Sequence, residues 1–486
     1  MRPLPQVPLA AVAASVPGSD LRGDPATAVA DAALDVREAG RGALFFCVPG
    51  RSADGHDFAG QAVAAGAVAL VVERWLAQDV PQIRVSSVRR AMGPMSAAVF
   101  GEPAKSLTLV GVTGTNGKTT IVHLLEAAFR AAGRRSGAIG TVGARIGDER
   151  EPLARTTPEA PDLHRLLARM RDGRVEAVAM EVSSHALAQD RVGGVRFDVA
   201  VFTNLSQDHL DFHPSMEAYF GAKASLFAPG RTAHAVVNVD DPWGRRLTDA
   251  GVPTTTYAVA SEADVVATDV LVDAGGSTFR VSGREVRTPL RGAFNVSNCV
   301  AAIAATEVLG IDPDAAVRGV AAVREVPGRM EPVEAGQDFL VVVDYAHTPD
   351  SIRNVLAAAR PLTTGRVIVV FGCGGDRDRA KRSAMGMAAT EGADLTVVTS
   401  DNPRSEDPSA IIAEIEPGAA AGRGRYVVER DRRAAIRLAL AEARGGDVVV
   451  VAGKGHETVQ ELAGRTVPFD DRVVVREELE ALGARP

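Results

Sequence analysis

Cysteine is scarce: Cys47, Cys299 and Cys373 are the only three in 486 residues. Their wide spacing excludes a disulfide framework and a zinc ribbon, and they read as reduced thiols of a cytosolic protein. Aromatics make up 4%, with two Trp and four Tyr. That argues against an aromatic-rich β-sandwich, and the abundant Ala, Val and Gly favour close helix–sheet packing. Positive charge is not in excess. A formal net charge of −7 leaves no basic footprint for coating a nucleic acid, although a pocket for a small anion stays open. Long apolar runs are missing too: the longest, Ala62–Val72, is broken by Gly66 and falls well short of the roughly 20 residues that span a bilayer. The N-terminus, MRPLPQVPLAAVAASVPG, carries one Arg and early prolines at Pro3, Pro5 and Pro8, so it does not read as a secretory leader.

What is present is apolar in short pieces. Hydrophobic residues make up 46%, enough for several cores, and at roughly 150 residues per domain the length suggests three. Seams fall at Phe100–Ser106 and Val326–Glu334, where Pro, Gly and charge precede strand-like runs. The expected domains are residues 1–103, 104–330 and 331–486. Runs such as LTLVGV, VEAVAMEV, DVAVFTNL and HAVVNVDD, then FLVVVDY, RVIVVFG, DLTVVTS and DVVVVAGKG, alternate with helical patterns. Near-continuous Val/Ile runs mean strands buried on both faces, so both later regions read as doubly wound, mostly parallel α/β domains. Polar motifs follow these runs, at the strand ends where such sheets bind ligands.

The segment Gly111-Val-Thr-Gly-Thr-Asn-Gly-Lys-Thr-Thr120 passes from a strand-like run into a helical pattern. Glycines let backbone N–H groups close on phosphate oxygens, a Lys reaches the β/γ-phosphates, and a hydroxyl serves Mg²⁺. Gly114, Gly117, Lys118 and Thr119 supply these parts, although the usual first glycine would fall at Val112, and Gly111 and Gly114 stand in for it. ATP or GTP binding is expected. Further on, Asp208, His209, Asp211 and His213 crowd together, open to a reading as a metal cluster or as a helix cap; Glu181, after another strand, is a second candidate ligand. Lys223 shares a helical face with Met216, Phe220 and Phe227, Ser215 being the expected N-cap. A lysine there ordinarily snorkels to the edge. The alternative is a desolvated, neutral amine that adds CO₂ and becomes a carbamate.

Taken in order, GVTGTNGKTT, TTPEAPDL, EVSSHAL, TNLSQDHLDFH, YFGAKASLF, GAFNVSN, GRME, VDYAHTPDS, GCGGDRDRAKR, DNPR and AGKGHE resemble the ATP-dependent Mur ligases of peptidoglycan synthesis, over nearly the whole chain. More closely, they resemble the branch that adds diaminopimelate as the third residue. The resemblance implies an N-terminal domain for the UDP end, a central P-loop ATPase and a Rossmann-like C-terminal domain. It implies ATP held by Gly114, Thr115, Asn116, Gly117, Lys118, Thr119 and Thr120, with Asn295, Arg329 and Asp344. Mg²⁺ would meet Thr119, Glu181, His209 and carbamylated Lys223, and the catalytic set would be Lys118, Glu181, His209 and Lys223. Thr156, Thr157, Ser183, Gln189 and Arg191 would hold the UDP-N-acetylmuramoyl-dipeptide. One departure is at the N-terminus, where the family's Asp-Ser-Arg appears as Asp35-Val36-Arg37.

The amino-acid end has its own physical argument. Pro403 fixes its φ and limits Asn402 to extended conformations, which aims Arg404, and Arg suits bidentate pairing with a carboxylate. Diaminopimelate differs from lysine by a distal carboxylate, so Arg404 favours it. By resemblance Arg377, Asp401, Asn402, Pro403, Gly453 and Glu457 complete this pocket. The implied partners are ATP, diaminopimelate and the UDP-linked dipeptide, with no nucleic acid or membrane, in a cytoplasmic monomer. Two rivals stand beside this reading. One is a folylpolyglutamate synthetase, against which TTPEAPDL and DNPR argue; the other is a P-loop switch that turns over ATP without an acceptor carboxylate and an amine.

Overall fold

The computed structural model describes residues 6–50, 53–273 and 275–483. Residues 1–5, which begin the stretch read against a secretory leader, lie outside them. Three successive sheets organise the chain, and described strands and helices are numbered below as they are introduced.

The first sheet has the order β1-β5-β4-β3-β2, from β1 (Asp20–Arg22), β2 (Asp31–Ala33), β3 (Ala43–Phe46), β4 (Ala67–Val72) and β5 (Gln82–Arg84). Helix α1 (Val88–Val99) follows, its Ser87 N-cap accepting from the Arg90 amide. It packs so closely on the central region that a Cβ at Gly93 would overlap the backbone of Gly193.

The central sheet has eleven strands in the order β9-β8-β7-β10-β6-β11-β12-β13-β14-β15-β16. These are β6 (Thr108–Thr113), β7 (Ser136–Gly140), β8 (Gly143–Ile146), β9 (Glu149–Glu151), β10 (Ala177–Glu181), β11 (Phe197–Phe202), β12 (Thr232–Asn238), β13 (Thr254–Ala258), β14 (Val265–Asp273), β15 (Gly276–Val281) and β16 (Arg284–Thr288). Strands β7, β10, β6 and β11 through β14 run parallel, and each edge ends in antiparallel pairs. At the β15–β16 hairpin two consecutive left-handed residues, Ser282 and Gly283, make the turn, as two-residue hairpins require. Helices α2 (Lys118–Ala131), α3 (Ala160–Asp172), α4 (Met216–Ala224), α5 (Ala293–Val308) and α6 (Pro313–Ala322) cover it. Alternation sorts the faces: Ala177 and Ala179 of β10 join the core under α2 and α5, Val178 and Met180 the core under α3.

The third sheet, β17-β18-β22-β19-β20-β21, comprises β17 (Glu331–Pro332), β18 (Leu340–Asp344), β19 (Val367–Phe371), β20 (Leu395–Val398), β21 (Arg425–Val428) and β22 (Val448–Ala452). All but β17 are parallel. On one face Val367, Val369 and Phe371 meet α7 (Pro349–Ala359), α8 (Lys381–Gly392) and α9 (Pro408–Ala421). On the other, Ile368 and Val370 meet α10 (Arg432–Glu442) and α11 (Asp471–Gly483). A short hairpin, β23 (Val459–Leu462) with β24 (Arg465–Pro468), precedes α11. The fold is thus mixed α/β in three domains, its largest sheet mostly parallel.

Candidate active site

Strand β6 hands the chain to α2 through a tight loop in which Gly114 and Gly117 take positive φ, 147° and 89°. Gly111 is not part of it. It lies within β6, where an added Cβ would press on the Phe197 ring at 2.9 Å, so its smallness serves sheet packing. The loop is braced from behind: the Thr115 amide donates to Asn204 O (2.8 Å), the Asn116 amide to Asn204 Oδ1 (2.9 Å), and Thr115 Oγ1 meets the Tyr219 hydroxyl at 3.1 Å. Asn298 of α5 closes on the loop, its Oδ1 2.5 Å from where a Gly117 Cβ would stand. Thr119 and Thr120 are buried in the first turn of α2.

Positive charge gathers here without carboxylate ion pairs among the described residues. Lys118 Nζ donates to Gly114 O (3.0 Å) and Thr115 O (2.8 Å), and Lys223 Nζ to the same Gly114 O (2.7 Å). Arg329 Nη2 donates to Thr119 Oγ1 (3.0 Å), its guanidinium over the Tyr345 ring. Lys223 is 1% exposed, so it does not snorkel; its helix α4, capped by Ser215, turns the amine inward over Tyr219. Burial, then the nearby Lys118 charge, hold its pKa well below the ordinary lysine value against the pull of Asp208. Burial likewise lowers that of Lys118.

Beyond the loop a cavity of about 630 Å³ opens between the central and C-terminal sheets. Thr156, Thr157, Ser183, Arg191 and His209 line it from the central side, and Arg377, Asp401, Asn402, Arg404, Gly453 and Glu457 from the C-terminal side. Thus the expected UDP-substrate and amino-acid residues share one space, Gln189 and Pro403 excepted. Gln189 instead accepts from Arg191 Nη2 (2.6 Å), holding that guanidinium. Arg404, with φ 52°, gives Nη1 to Gly375 O (2.7 Å) and Nε to Glu461 Oε2 (2.9 Å).

Other expected residues stand behind the wall. Asp344 is buried and accepts from the amides of Met330 and Ala346, both at 2.8 Å, pinning the Arg329 loop to β18. Asn295 accepts from Asn298 Nδ2 (3.0 Å), so it supports the residue that touches the loop. Glu181 accepts from the Thr141 amide and hydroxyl (2.8 and 3.1 Å) and lines a small second cavity. The Asp208–His213 segment is not a helix cap, because α4 starts only at Met216. Asp208 is buried, with His209 Nε2, His347 Nε2 and Lys381 Nζ at 3.4, 3.8 and 3.9 Å. Burial alone would raise its pKa, but these neighbours hold it below the usual carboxylate range. Burial lowers His209 to about 3 and His213 to about 4, leaving neutral imidazoles.

Sequence reasoning missed Lys381, Lys454, His347 and Asn298. A compositional signal marked the lysines: the chain has five, at positions 105, 118, 223, 381 and 454. Four of them wall this region: Lys381 lines the cavity, and Lys454 Nζ donates to Asn402 Oδ1 (3.1 Å), Glu457 Oε2 (3.2 Å) and Val459 O (2.6 Å).

Among the described residues no three of His, Cys, Asp and Glu converge as a metal cage. The Thr119 hydroxyl at the phosphate loop and the Glu181 carboxylate are hard oxygen donors of the kind Mg²⁺ takes beside water and phosphate oxygens; the neutral His209 imidazole is not of that kind.

Sequence relationships place this arrangement in a family. The Mur ligase family, catalytic domain matches residues 33–99, the Mur ligase middle domain residues 112–306, and the Mur ligase glutamate ligase domain residues 328–455. The chain belongs to the Mur ligase family, whose members are ATP-dependent, ADP-forming ligases. It is 49% identical over 457 residues to the UDP-N-acetylmuramoyl-L-alanyl-D-glutamate–2,6-diaminopimelate ligase of Geobacillus thermodenitrificans, covering 91% of this chain and 93% of that one. The Streptomyces avermitilis enzyme of the same name is 50% identical over 463 residues, 92% and 91% of the two chains. A solved structure of a ligase of that name superposes with a TM-score of 0.70 at 35% identity, over 99% of this chain and 100% of the other. A MurF ligase from Thermotoga maritima in complex with ADP shares the fold at 20% identity, with a TM-score of 0.64 over 93% and 98% of the chains.

Proposed function

We propose that the chain joins diaminopimelate to the free D-Glu side-chain carboxylate of UDP-N-acetylmuramoyl-L-alanyl-D-glutamate, releasing ADP and phosphate, in peptidoglycan precursor synthesis. The observation that carries this reading is the convergence of Lys118, Lys223 and Arg329 on the phosphate loop, partnered by carbonyl and hydroxyl oxygens, with Arg329 stacked on Tyr345, which lines the same cavity as Arg404. Two anions, carboxylate and γ-phosphate, must be brought together, and these cations with the loop amides offset their repulsion. The carboxylate oxygen attacks the γ-phosphorus and ADP leaves; the amine then attacks the acyl-phosphate carbon, loses a proton and expels phosphate. Phosphorylation is needed because a carboxylate oxygen is otherwise a poor leaving group. Enclosure between two domains excludes the water that would hydrolyse the acyl phosphate.

In this reading Gly114–Thr120 bind ATP, aided by Arg329 directly and by Asn295 and Asp344 from behind. Thr156, Thr157, Ser183 and Arg191, the last held by Gln189, take the dipeptide, and the Asp401–Arg404 loop with Arg377, Gly453 and Glu457 takes diaminopimelate. Thr119, Glu181, His209 and a carbamylated Lys223 would hold Mg²⁺, which when bound neutralises phosphate charge. The burial of the Lys223 amine supports its carbamylation, since only a neutral amine adds CO₂. Domains are divided after residues 103 and 330. The chain acts as a cytoplasmic monomer; its three free, buried cysteines fit a reducing compartment, and among the described residues no helix is long and apolar enough to cross a membrane. The test is ADP release with each substrate omitted in turn. Turnover should require both the dipeptide and diaminopimelate; ADP release without them would point to a switch.

A further inference from the structure

We infer that the buried Arg432–Asp471 pair is a positioning device for the amino-acid pocket, fixing the separation of its two loops; this rests on the reading of that pocket given above. The Asp401–Arg404 loop leaves β20 and the Gly453–Glu457 loop leaves β22, yet these strands are not neighbours, because β19 lies between them. Their paired residues end at Val398 and Ala452, so direct strand pairing does not set the distance between the loops.

Farther out, Asn402 of one loop bonds Lys454 and Glu457 of the other; at the roots of the two loops Arg432 spans the gap. Its Nη1 donates to Ser400 O (3.3 Å) and its Nη2 to Ala452 O (3.0 Å), the residues directly before Asp401 and Gly453. The remaining edge is held by Asp471, with Nε to Oδ1 at 2.8 Å and Nη2 to Oδ2 at 2.6 Å. Both side chains are fully buried. A planar fork reaching four acceptor atoms on three residues is a property of Arg that the three-donor ammonium of Lys does not share. Stability alone does not account for the pair. Arg432 is the first residue of α10, the end where the helix dipole disfavours a cation, and buried ion pairs are commonly matched or exceeded in stability by apolar residues of similar size.

The test compares wild type with Arg432→Lys and with the apolar double variant Arg432→Met/Asp471→Leu. In the double variant Tm should stay within a few degrees of wild type, while KM for diaminopimelate rises at least tenfold and KM for ATP and for the dipeptide stays within twofold. Arg432→Lys should shift KM in the same direction. An unchanged diaminopimelate KM in a folded variant, a parallel rise in all three KM values, or failure of both variants to fold would overturn the proposal and leave the pair a stability element. A wild type that releases no ADP when diaminopimelate is added would instead remove the pocket assignment, before any variant is compared.

Discussion

Replacing Lys118 by Ala separates the chemistry of the phosphate loop from its stability. In the free protein Lys118 makes two bonds, to Gly114 O and Thr115 O, and hydrogen bonds from charged groups are worth about 1.5–3 kcal/mol net. Opposing that loss, the substitution removes an ammonium that burial and then the Arg329 charge disfavour, with Glu181 and Asp208 pulling the other way. The two effects oppose each other at similar size, so Tm should move by only a few degrees. Catalysis has no such offset. A preorganised donor aimed at developing phosphate charge typically carries a factor of 10²–10³ in rate, about 2.7–4 kcal/mol. The assay is ADP release with all three substrates, beside a thermal melt of the same sample. A well-folded Lys118→Ala within fivefold of wild-type turnover would refute the phosphate-loop assignment, and a collapsed melt would show that the lysine's bonds to the loop outweigh the repulsion.

Lys223→Ala should be inactive, with partial rescue by a small carboxylic acid in solution; a mass measurement showing only the unmodified amine in active enzyme would sink the carbamate. Arg404→Ala should lose roughly 10- to 100-fold in kcat/KM on diaminopimelate, a charged hydrogen bond's worth, while activity on lysine barely changes; equal loss on both amino acids would show that Arg404 does not read the distal carboxylate. His164 is buried, its Nε2 on Gly193 O at 2.9 Å, and burial lowers its pKa to about 4. Between that value and the ordinary 6.5 the unfolded chain binds the extra proton. The stability it confers is therefore complete above about pH 6.5 and falls by about 1.4 kcal/mol per pH unit toward 4. The Tm difference between pH 7 and pH 5 should narrow in His164→Gln, and an equal difference would exclude His164 as a source of the acid limb.

Much of the fold was legible because its determinants are local. Near-continuous apolar runs at VIVVF and VVVVA become parallel strands buried on both faces, and the Ser215 cap places α4 and hence Lys223. The antiparallel edges β8, β9, β15 and β16 were not singled out, since their half-exposed sequences carry charges that resemble loops. At the site, motif residues at strand ends were readable, but what each side chain touches was not. Asp344 and Asn295 sit near the nucleotide loop through intermediaries, because their polar atoms satisfy neighbouring backbone and side chains first. Nor could sequence alone pair Arg404 with Glu461 or Asp208 with His347 and Lys381, contacts made across loops by tertiary packing.

The concentration of lysine around the cavity makes the protein unusual as a proton balance. Arginine stays charged far into alkali, and the three cysteines are pushed up to about 12 by burial. Burial likewise raises Tyr219, Tyr257 and Tyr345 above their ordinary values. Among the lysines, burial lowers Lys118 and Lys223 below the ordinary value, and both sit at the phosphate loop. Binding a phosphate compound beside Lys118, whose amine burial holds below its ordinary value, should register as proton uptake from an unbuffered solution, with no label attached.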